Sequence, residues 1–220
     1  MDGPCIEDYL LDPELYVEIF KFLPGVEVAG NLRLVSTMWK ERAADEILWR
    51  LVCSPKWPRL SRKGTLRRFK SWKEMFFRRP HVRFDGVYVL EKTYWKTCTV
   101  GDHMSLERET VKCSYYRYLR FFPNGEVAYA LLNQEPKRAL DWIHKGHRSM
   151  CVGRYKVKKK EVEVQVDVGY MMLYMKLKLL KRELFSRLKI LRLEGLDKGE
   201  VTPFPVGMEP FYLYRVHRMK

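Results

Sequence analysis

The stretch from Leu11 to Trp57 reads LDPELYVEIFKFLPGVEVAGNLRLVSTMWKERAADEILWRLVCSPKW, and it decides the fold of the amino-terminal part of the chain. Its first helix is well signalled, because Asp12 can cap it and Pro13 suits the first helical position, where the missing N–H costs nothing. Apolar residues then recur at helical spacing on two adjoining faces. They are Leu15, Ile19 and Phe22 on the first face, and Phe20 and Leu23 on the second.

Two further helical patterns follow the first. The third pattern begins near Asp45 and reads ILWRLVC. Three or four helices in about fifty residues form a core too small to bury two apolar stripes per helix, which favours docking onto a partner. The alternative that stays open is that this stretch is the helical half of one larger core. The stripes of the second pattern are Leu32, Val35 and Trp39, with Leu34 and Met38 beside them.

The order and spacing of the apolar anchors resemble the F-box. Two positions depart from the family pattern: Pro13 lies one place later than the usual proline, and Ser36 stands where the family often has cysteine. The resemblance implies a module that docks on the Skp adaptor and, through it, on the cullin and RING subunits of a ubiquitin ligase. The residues that carry it are Leu11, Glu14, Leu15, Ile19, Phe20, Leu34, Val35, Trp39, Asp45, Leu48, Trp49 and Arg50.

Nine of these anchors are assigned by the resemblance to adaptor docking or to its immediate support. Some of the nine must pack inside the module, and the sequence does not sort them. Large aromatic residues at interface centres commonly carry a disproportionate share of the binding energy. The nine are Leu11, Leu15, Ile19, Phe20, Leu34, Val35, Trp39, Leu48 and Trp49.

Three later segments are SWKEMFFRRPHVRFDGVYV at Ser71–Val89, YYRYLRFFPNGEVAYALL at Tyr115–Leu132 and the Gly-Arg-Tyr at Gly153–Tyr155. They resemble the F-box-only protein nine subfamily. Members of that subfamily usually carry a tetratricopeptide-like helical region before the F-box. Only ten residues precede Leu11, so we expect that region to be lacking. The resemblance implies that the later domain holds a protein substrate.

Charge helps to place a boundary between domains. Residues 1–55 hold five Lys or Arg against ten Asp or Glu, whereas residues 56–80 hold ten against one. Ser71 and Glu74 have capping-box spacing, and Pro80 ends the pattern, which predicts a short helix at 71–78. We therefore predict a helical F-box module over 1–57, a basic linker with a short helix over 58–80, and an antiparallel β substrate-recognition domain over 81–220.

After Pro80 the apolar period changes from helical to two. Glu161–Val168 alternates valine with polar residues, as a half-buried strand requires, and Asn124-Gly125 signals a hairpin. The fold class is therefore α+β, and successive strands without helical patterns favour an antiparallel barrel or sandwich, between which the sequence does not decide. Further strands are predicted at 82–90, 154–158, 170–180, 188–193 and 211–216, with long loops at 98–114, 133–150 and 195–210.

Composition restricts the class of protein. A hydrophobic content of 46% with 14% aromatic residues argues against a disordered chain. Five cysteines without a close pair indicate neither a disulfide framework nor a zinc site, which favours a reducing compartment. The amino terminus has no signal-peptide pattern, and we expect a soluble protein of the cytoplasm or nucleus.

Catalytic and metal-binding patterns are weak in this chain. His144 and His147 have a spacing that could serve a metal, but only Asp141 lies nearby as a further ligand. Cys113 and Cys151 have no local signature of a nucleophile, and no phosphate-binding glycine loop is found. We therefore predict no metal, no cofactor and no enzymatic activity.

Two alternative functions follow from other features. The net charge of +15, with basic residues among Trp57, Phe69, Trp72, Phe76 and Phe77, is compatible with nucleic-acid binding through phosphate neutralisation and base stacking. Basic residues would equally attract an acidic or phosphorylated protein substrate. An eight-stranded barrel could instead hold a small apolar ligand. The residues that would line such a pocket are Tyr116, Tyr118, Met172 and Tyr174.

Overall fold

The computed structural model describes residues 13–57, 68–100, 107–144 and 150–215. The chain divides into two compact units, Met1–Arg79 and Pro80–Lys220. The finer division at residue 57 stays a prediction. Within the described ranges, no helix has both the length and the apolar character that a membrane span requires.

The first unit is helical. Two of its α-helices begin at residues whose side chains cap them: the Ser36 hydroxyl accepts a hydrogen bond from the Trp39 amide at 3.2 Å, and an Asp45 carboxylate oxygen accepts from the Ile47 amide at 2.6 Å. The helix predicted to begin near Asp45 is thereby confirmed. The elements are α1 (Pro13–Phe20), α2 (Gly25–Ala29), a 3₁₀ turn (Leu32–Leu34), α3 (Thr37–Arg42), α4 (Glu46–Cys53) and α5 (Trp72–Arg78).

Helix α5 is the short helix predicted at 71–78, and it is confirmed. The Ser71 hydroxyl accepts from the Glu74 amide at 3.0 Å, as the capping pattern indicates. The helix packs against α4, where the rings of Trp49 and Phe76 lie 5.3 Å apart and the Trp72 amide donates to the Glu46 carboxylate at 3.0 Å. This core consists of Tyr16, Val17, Phe20, Val28, Leu32, Ala43, Leu48, Trp49, Val52, Cys53, Trp72, Met75 and Phe76.

The second unit is built from antiparallel strands and one helix. Its strands are β1 (Gly86–Val100), β2 (Glu107–Phe121), β3 (Glu126–Leu132), β4 (Cys151–Lys158), β5 (Glu161–Asp167), β6 (Met172–Leu180), β7 (Arg187–Asp197), β8 (Glu200–Pro203) and β9 (Phe211–Arg215), and α6 (Pro136–His144) lies between β3 and β4.

The strands close into an eight-stranded barrel, which confirms the α+β class and decides between barrel and sandwich. Strands β1 to β7 follow one another around the wall, and β9 lies between β7 and β1. Strand β8 pairs only with the carboxyl end of β7 and stays outside the ring. Because every strand of the ring has two neighbours, closure removes free edges within the barrel wall.

The barrel interior is filled by side chains. Val162, Val164 and Val166 point inward from β5, which confirms the alternation predicted for this strand. Phe185, between β6 and β7, is buried in the same core, and the hydroxyl of Tyr88 donates to its carbonyl at 2.8 Å. The predicted hairpin is also confirmed, because Gly125 adopts a φ of +88° between β2 and β3.

Helix α6 covers part of the outer wall. Ala139 and Ile143 of the helix form a second apolar cluster with the outward side chains of β1, β2 and β3. The predicted loop at 133–150 was therefore wrong. Pro136 at the first helical position and the apolar residues at helical spacing were the signals that could have found the helix.

Strands β1 and β2 extend well beyond the barrel wall as a two-stranded arm. Strand β9 pairs with β1 only as far as Val89, and β3 pairs with β2 only from Tyr116 onward. The two strands nevertheless remain paired as far as Val100 and Glu107. The predicted loop at 98–114 was therefore wrong for its described residues, 98–100 and 107–114. The loop predicted at 195–210 is confirmed only for 204–210, because β7 continues to Asp197 and β8 spans Glu200–Pro203.

Candidate functional site

Helix α1 presents two apolar faces with opposite surroundings. Tyr16 and Phe20 point into the core of the first unit, and Phe20 is only 2% exposed. Leu15 and Ile19, also one helical turn apart, are 41% and 47% exposed. Since residues four apart lie on one helix face, these pairs define a buried stripe and an exposed stripe on the same helix.

The exposed apolar surface continues beyond α1. Leu34 at the end of the 3₁₀ turn is 81% exposed, and Val35 is 60% exposed. Phe22, Leu23 and Ile47 are exposed as well, although the predicted site did not include them. Their apolar character and helical spacing were visible in the sequence, but those signals do not tell exposed from buried. This exposed apolar set is Leu15, Ile19, Phe22, Leu23, Leu34, Val35 and Ile47.

The nine predicted docking residues fall into different places in the structure. Leu11 lies outside the described residues. Trp39 is half-buried against the core, with its ring 5.1 Å from that of Phe20. The structure places Leu15, Ile19, Leu34 and Val35 at the surface, and Phe20, Leu48 and Trp49 in the interior. Buried members can only support the surface, and contact of the exposed members with an adaptor stays a prediction.

Polar contacts hold α1 against the start of α4. The hydroxyl of Tyr16 donates to the carboxylate of Asp45, and the guanidinium of Arg42 lies 4.8 Å from the centre of the Tyr16 ring. Burial, reinforced by the negative charge of Asp45, raises the pKa of Tyr16 and keeps the phenol protonated. Asp45 therefore caps α4 and fixes α1 at the same time.

Trp49 is the central support beneath this surface. Its side chain is fully buried, and its indole N–H donates to the carbonyl of Ala43 at 2.8 Å. Its ring lies between 5 and 6 Å from those of Phe76 and Phe77. A buried tryptophan with a satisfied N–H combines large apolar burial with a fixed orientation. From its place on α4, Trp49 thus contacts both the end of α3 and the apolar face of α5.

Comparison of the chain with known proteins shows its family. The pattern of the family described as F-box only protein C-terminal region matches residues 65–201, which is more than half of the chain. The chain belongs to this family. The match covers α5 and the barrel through the start of β8, whereas β9 lies beyond its end.

Two curated relatives are F-box proteins of yeasts. F-box protein pof7 of Schizosaccharomyces pombe is 34% identical over 67 residues, 30% of this chain and 18% of the relative. F-box protein HRT3 of Saccharomyces cerevisiae is 30% identical over 82 residues, 35% of this chain and 24% of the relative. The chain thus spans less than a quarter of the length of each. No solved structure matches the chain.

The family and these relatives are not described by an enzymatic activity, and the candidate nucleophiles lack support in the structure. Burial and the nearby charge of Asp167 raise the pKa of Cys151, which disfavours the reactive thiolate. Cys113 lies half-buried on β2, opposite Tyr94 of β1. His147 lies outside the described residues, and within the described part of the chain no cluster of potential ligands could hold a metal.

The aromatic residues predicted as possible stacking partners of nucleic-acid bases belong to the core of the helical unit. Trp72 and Phe76 are buried there, and Trp57, Phe69 and Phe77 pack partly against them. The guanidinium of Arg79 lies 4.9 Å from the centre of the Trp57 ring. The buried rings of Trp72 and Phe76 are therefore not free to stack on bases.

The residues considered for an apolar pocket do not line the barrel interior, so that prediction was wrong. Tyr116 and Tyr118 point outward to α6, since Leu119 and Phe121 occupy the inward positions of the same strand. Met172 and Tyr174 likewise alternate with the inward Leu173 and Met175. The physical reason is the two-residue period of a strand, which places neighbouring side chains on opposite faces.

Proposed function

We propose that this chain is the substrate-recognition subunit of an SCF-type cullin-RING ubiquitin ligase. The helical unit docks on the Skp adaptor, and the barrel holds a protein that is to be ubiquitinated and degraded. The chain performs no bond chemistry itself. Fixing a substrate lysine near a charged ubiquitin-conjugating enzyme replaces a dilute encounter with one at high effective concentration.

The exposed apolar set carries this proposal. The helical unit has a closed core of its own, with Phe20, Leu48 and Trp49 inside it, and still leaves Leu34 and Val35 largely in water. Exposed apolar surface of this kind on a folded unit marks an interaction site. The kinship of the chain with F-box proteins supports Skp as the occupant.

Leu15→Asp together with Ile19→Asp tests the docking surface. Both side chains are at the surface, so the core stays intact while two charges face the apolar partner. We expect loss of Skp pull-down by the full chain, with an unchanged circular dichroism spectrum.

The matched control places the same charge on exposed apolar residues of the barrel, Leu131→Asp with Val201→Asp. We expect this control to retain Skp. Retention of Skp by the Leu15→Asp, Ile19→Asp variant would contradict the docking assignment.

Further details of the proposal rest on the sequence. The residues that resemble the F-box-only protein nine subfamily support a place within it, and the cysteine usage supports the cytoplasm or nucleus. The excess of basic residues supports an acidic or phosphorylated substrate. The F-box limits at residues 1–57 and the recognition domain at 81–220 belong to the same proposal.

A further inference from the structure

The outer wall of the barrel has one covered part and one open part. Helix α6 packs on the outward side chains of β1, β2 and β3. Within the described residues of the second unit, no helix packs on the outward side chains of β4 to β7. Alternation along these strands places polar and charged residues on this open face.

The pairing registers align the outward residues of the open face in rows across the four strands. A concave surface that encloses a volume of about 310 Å³ lies over these rows. The first row is Arg154, Gln165, Tyr174 and Glu194, and the second is Lys156, Glu163, Lys176 and Arg192. All eight residues line the concave surface, which we call the wall groove.

The charges of the wall groove are only partly compensated. Glu163 binds the Lys158 ammonium at 2.9 Å, and this hydrogen bond holds the pKa of Glu163 below its ordinary value. Lys176 pairs with Glu161 at 2.9 Å, and Arg192 pairs with Glu194. Among the described residues, neither Arg154 nor Lys156 forms an ion pair. Strand pairing nevertheless places Arg154 opposite Glu126 and Lys156 opposite Glu163, and the charge of Lys156 also lowers the pKa of Glu163.

The spacing of Arg154 and Lys156 defines what the groove can hold. Arg154 and Lys156 are both exposed on one face of β4, so their attachment points lie about 6.6 Å apart. Carboxylates at alternate residues of an extended peptide have the same repeat. Within the first row, the half-exposed ring of Tyr174 offers apolar surface beside the Gln165 amide, which donates to its hydroxyl at 3.3 Å.

We propose that the wall groove binds an extended acidic segment of the protein substrate. Asp or Glu side chains at alternate positions pair with Arg154 and Lys156, and an apolar side chain of the segment lies against Tyr174. This inference rests on the proposed role of the barrel as the substrate-holding domain. Glu163 and Glu194 interrupt the positive charge of the groove, which favours a short segment with two acidic side chains over a continuous polyanion such as RNA.

Charge reversal of the two cations is the direct test. The full chain is titrated against a fluorescein-labelled peptide with glutamate at alternate positions, and binding is followed by fluorescence anisotropy. Arg154→Glu with Lys156→Glu is expected to weaken binding by at least about tenfold, because attraction becomes repulsion. Replacing glutamate by glutamine in the peptide is expected to weaken binding of the wild-type chain similarly.

Two comparisons make the test specific to the groove. Lys137→Glu with Arg138→Glu introduces the same charge change on the exposed side of α6, and it is expected to retain peptide binding. An equal loss of peptide binding in this control would show that the net charge of the chain alone attracts the peptide. That result would overturn the proposal of a binding groove. Undiminished peptide binding by the Arg154→Glu, Lys156→Glu variant would also overturn the proposal. The same holds if the wild-type chain binds only a phosphoserine version of the peptide, or binds single-stranded RNA in preference to the peptide.

Skp pull-down separates this inference from the proposed function. The groove variant is expected to retain Skp while losing the peptide, and the Leu15→Asp, Ile19→Asp variant is expected to show the reverse. A chain that binds the peptide through the groove but never binds Skp would contradict the ligase role and leave the groove assignment standing.

Discussion

Adjacent residues of α1 have opposite roles. Leu15 and Ile19 face water, whereas Tyr16 and Phe20, the next residue in each case, are buried. A hydrophobic residue at this helix therefore contributes either to the stability of the module or to its docking surface. Exposure separates the two roles, and substitutions at the two kinds of position have different consequences.

Trp49→Ala is expected to destabilise the helical unit by about 3–5 kcal/mol, because it opens a cavity and leaves the Ala43 carbonyl without its donor. Val35→Ala is expected to change the free energy of unfolding by less than about 0.5 kcal/mol, since Val35 is exposed. Guanidinium denaturation followed by circular dichroism measures both. Equal destabilisation by the two substitutions would contradict the assignment of Val35 to the surface.

Titration of the Cys53 thiol is expected to lower the stability of the helical unit at high pH. Burial raises the pKa of its thiol from 9.0 to about 12. The folded state therefore keeps the proton longer than the unfolded state, so this contribution to stability is complete below about pH 9 and is lost as the pH rises from about 9 to about 12.

Cys53→Ala isolates this effect from that of other titrating groups. Between pH 8 and pH 10, the free energy of unfolding of the wild-type chain should fall more steeply than that of the variant, with an extra slope of at most about 1.4 kcal/mol per pH unit. Parallel curves for the two proteins would show that the thiol is not buried as described.

At the level of elements, the β1–β2 arm differs from the rest of the sheet. After Val89 on β1 and before Tyr116 on β2, the two strands pair only with each other among the residues that the structure describes. Trp95 and Val111 on the arm are exposed. A two-stranded ribbon with free edges and no core of its own is marginally stable in water.

Amide hydrogen exchange is expected to divide β1 within a single strand. Amides of Val87 to Val89 lie between two paired strands and should exchange slowly, whereas those of Thr93 to Thr97 should exchange much faster through local opening. Nuclear magnetic resonance detects this contrast residue by residue. Uniformly slow exchange along β1 would indicate that the arm is stabilised by contacts absent from the structure.

At the level of the whole molecule, the barrel depends on its last strand. Strand β9 joins β1 to β7, and the fully buried Phe211 contributes to the interior core. This strand lies beyond residue 201, where the family match ends. Closure of the barrel thus needs residues far apart in sequence, whose pairing has a high loop-closure cost.

Phe211→Asp is expected to disrupt the barrel, because it places an unpaired charge in a closed apolar core. Tyr214→Asp, three residues later on the same strand and at the surface, should be tolerated. Limited proteolysis and near-ultraviolet circular dichroism of the full chain measure the difference. Equal tolerance of the two substitutions would mean that β9 is not needed for closure.

The sequence predicted those parts of the fold that depend on local patterns. Helices at Asp45 and at 71–78 follow from their caps, the hairpin at Asn124-Gly125 from positive φ, and β5 from its alternating valines. The arm was not predicted, because both faces of its strands meet solvent and the apolar alternation that signals a strand is weak there. Helix α6 was missed although Pro136 marked its first turn.

The sequence by itself determined the α+β class, the apolar anchors of the helical unit and the basic character of the chain. Only the tertiary structure decided that the strands close into a barrel, that Leu15, Ile19, Leu34 and Val35 are exposed while Phe20, Leu48 and Trp49 are buried, and that Arg154 and Lys156 lie in the wall groove. The physical reason is that periodicity fixes which residues share a face, whereas the packing of distant segments fixes what that face contacts.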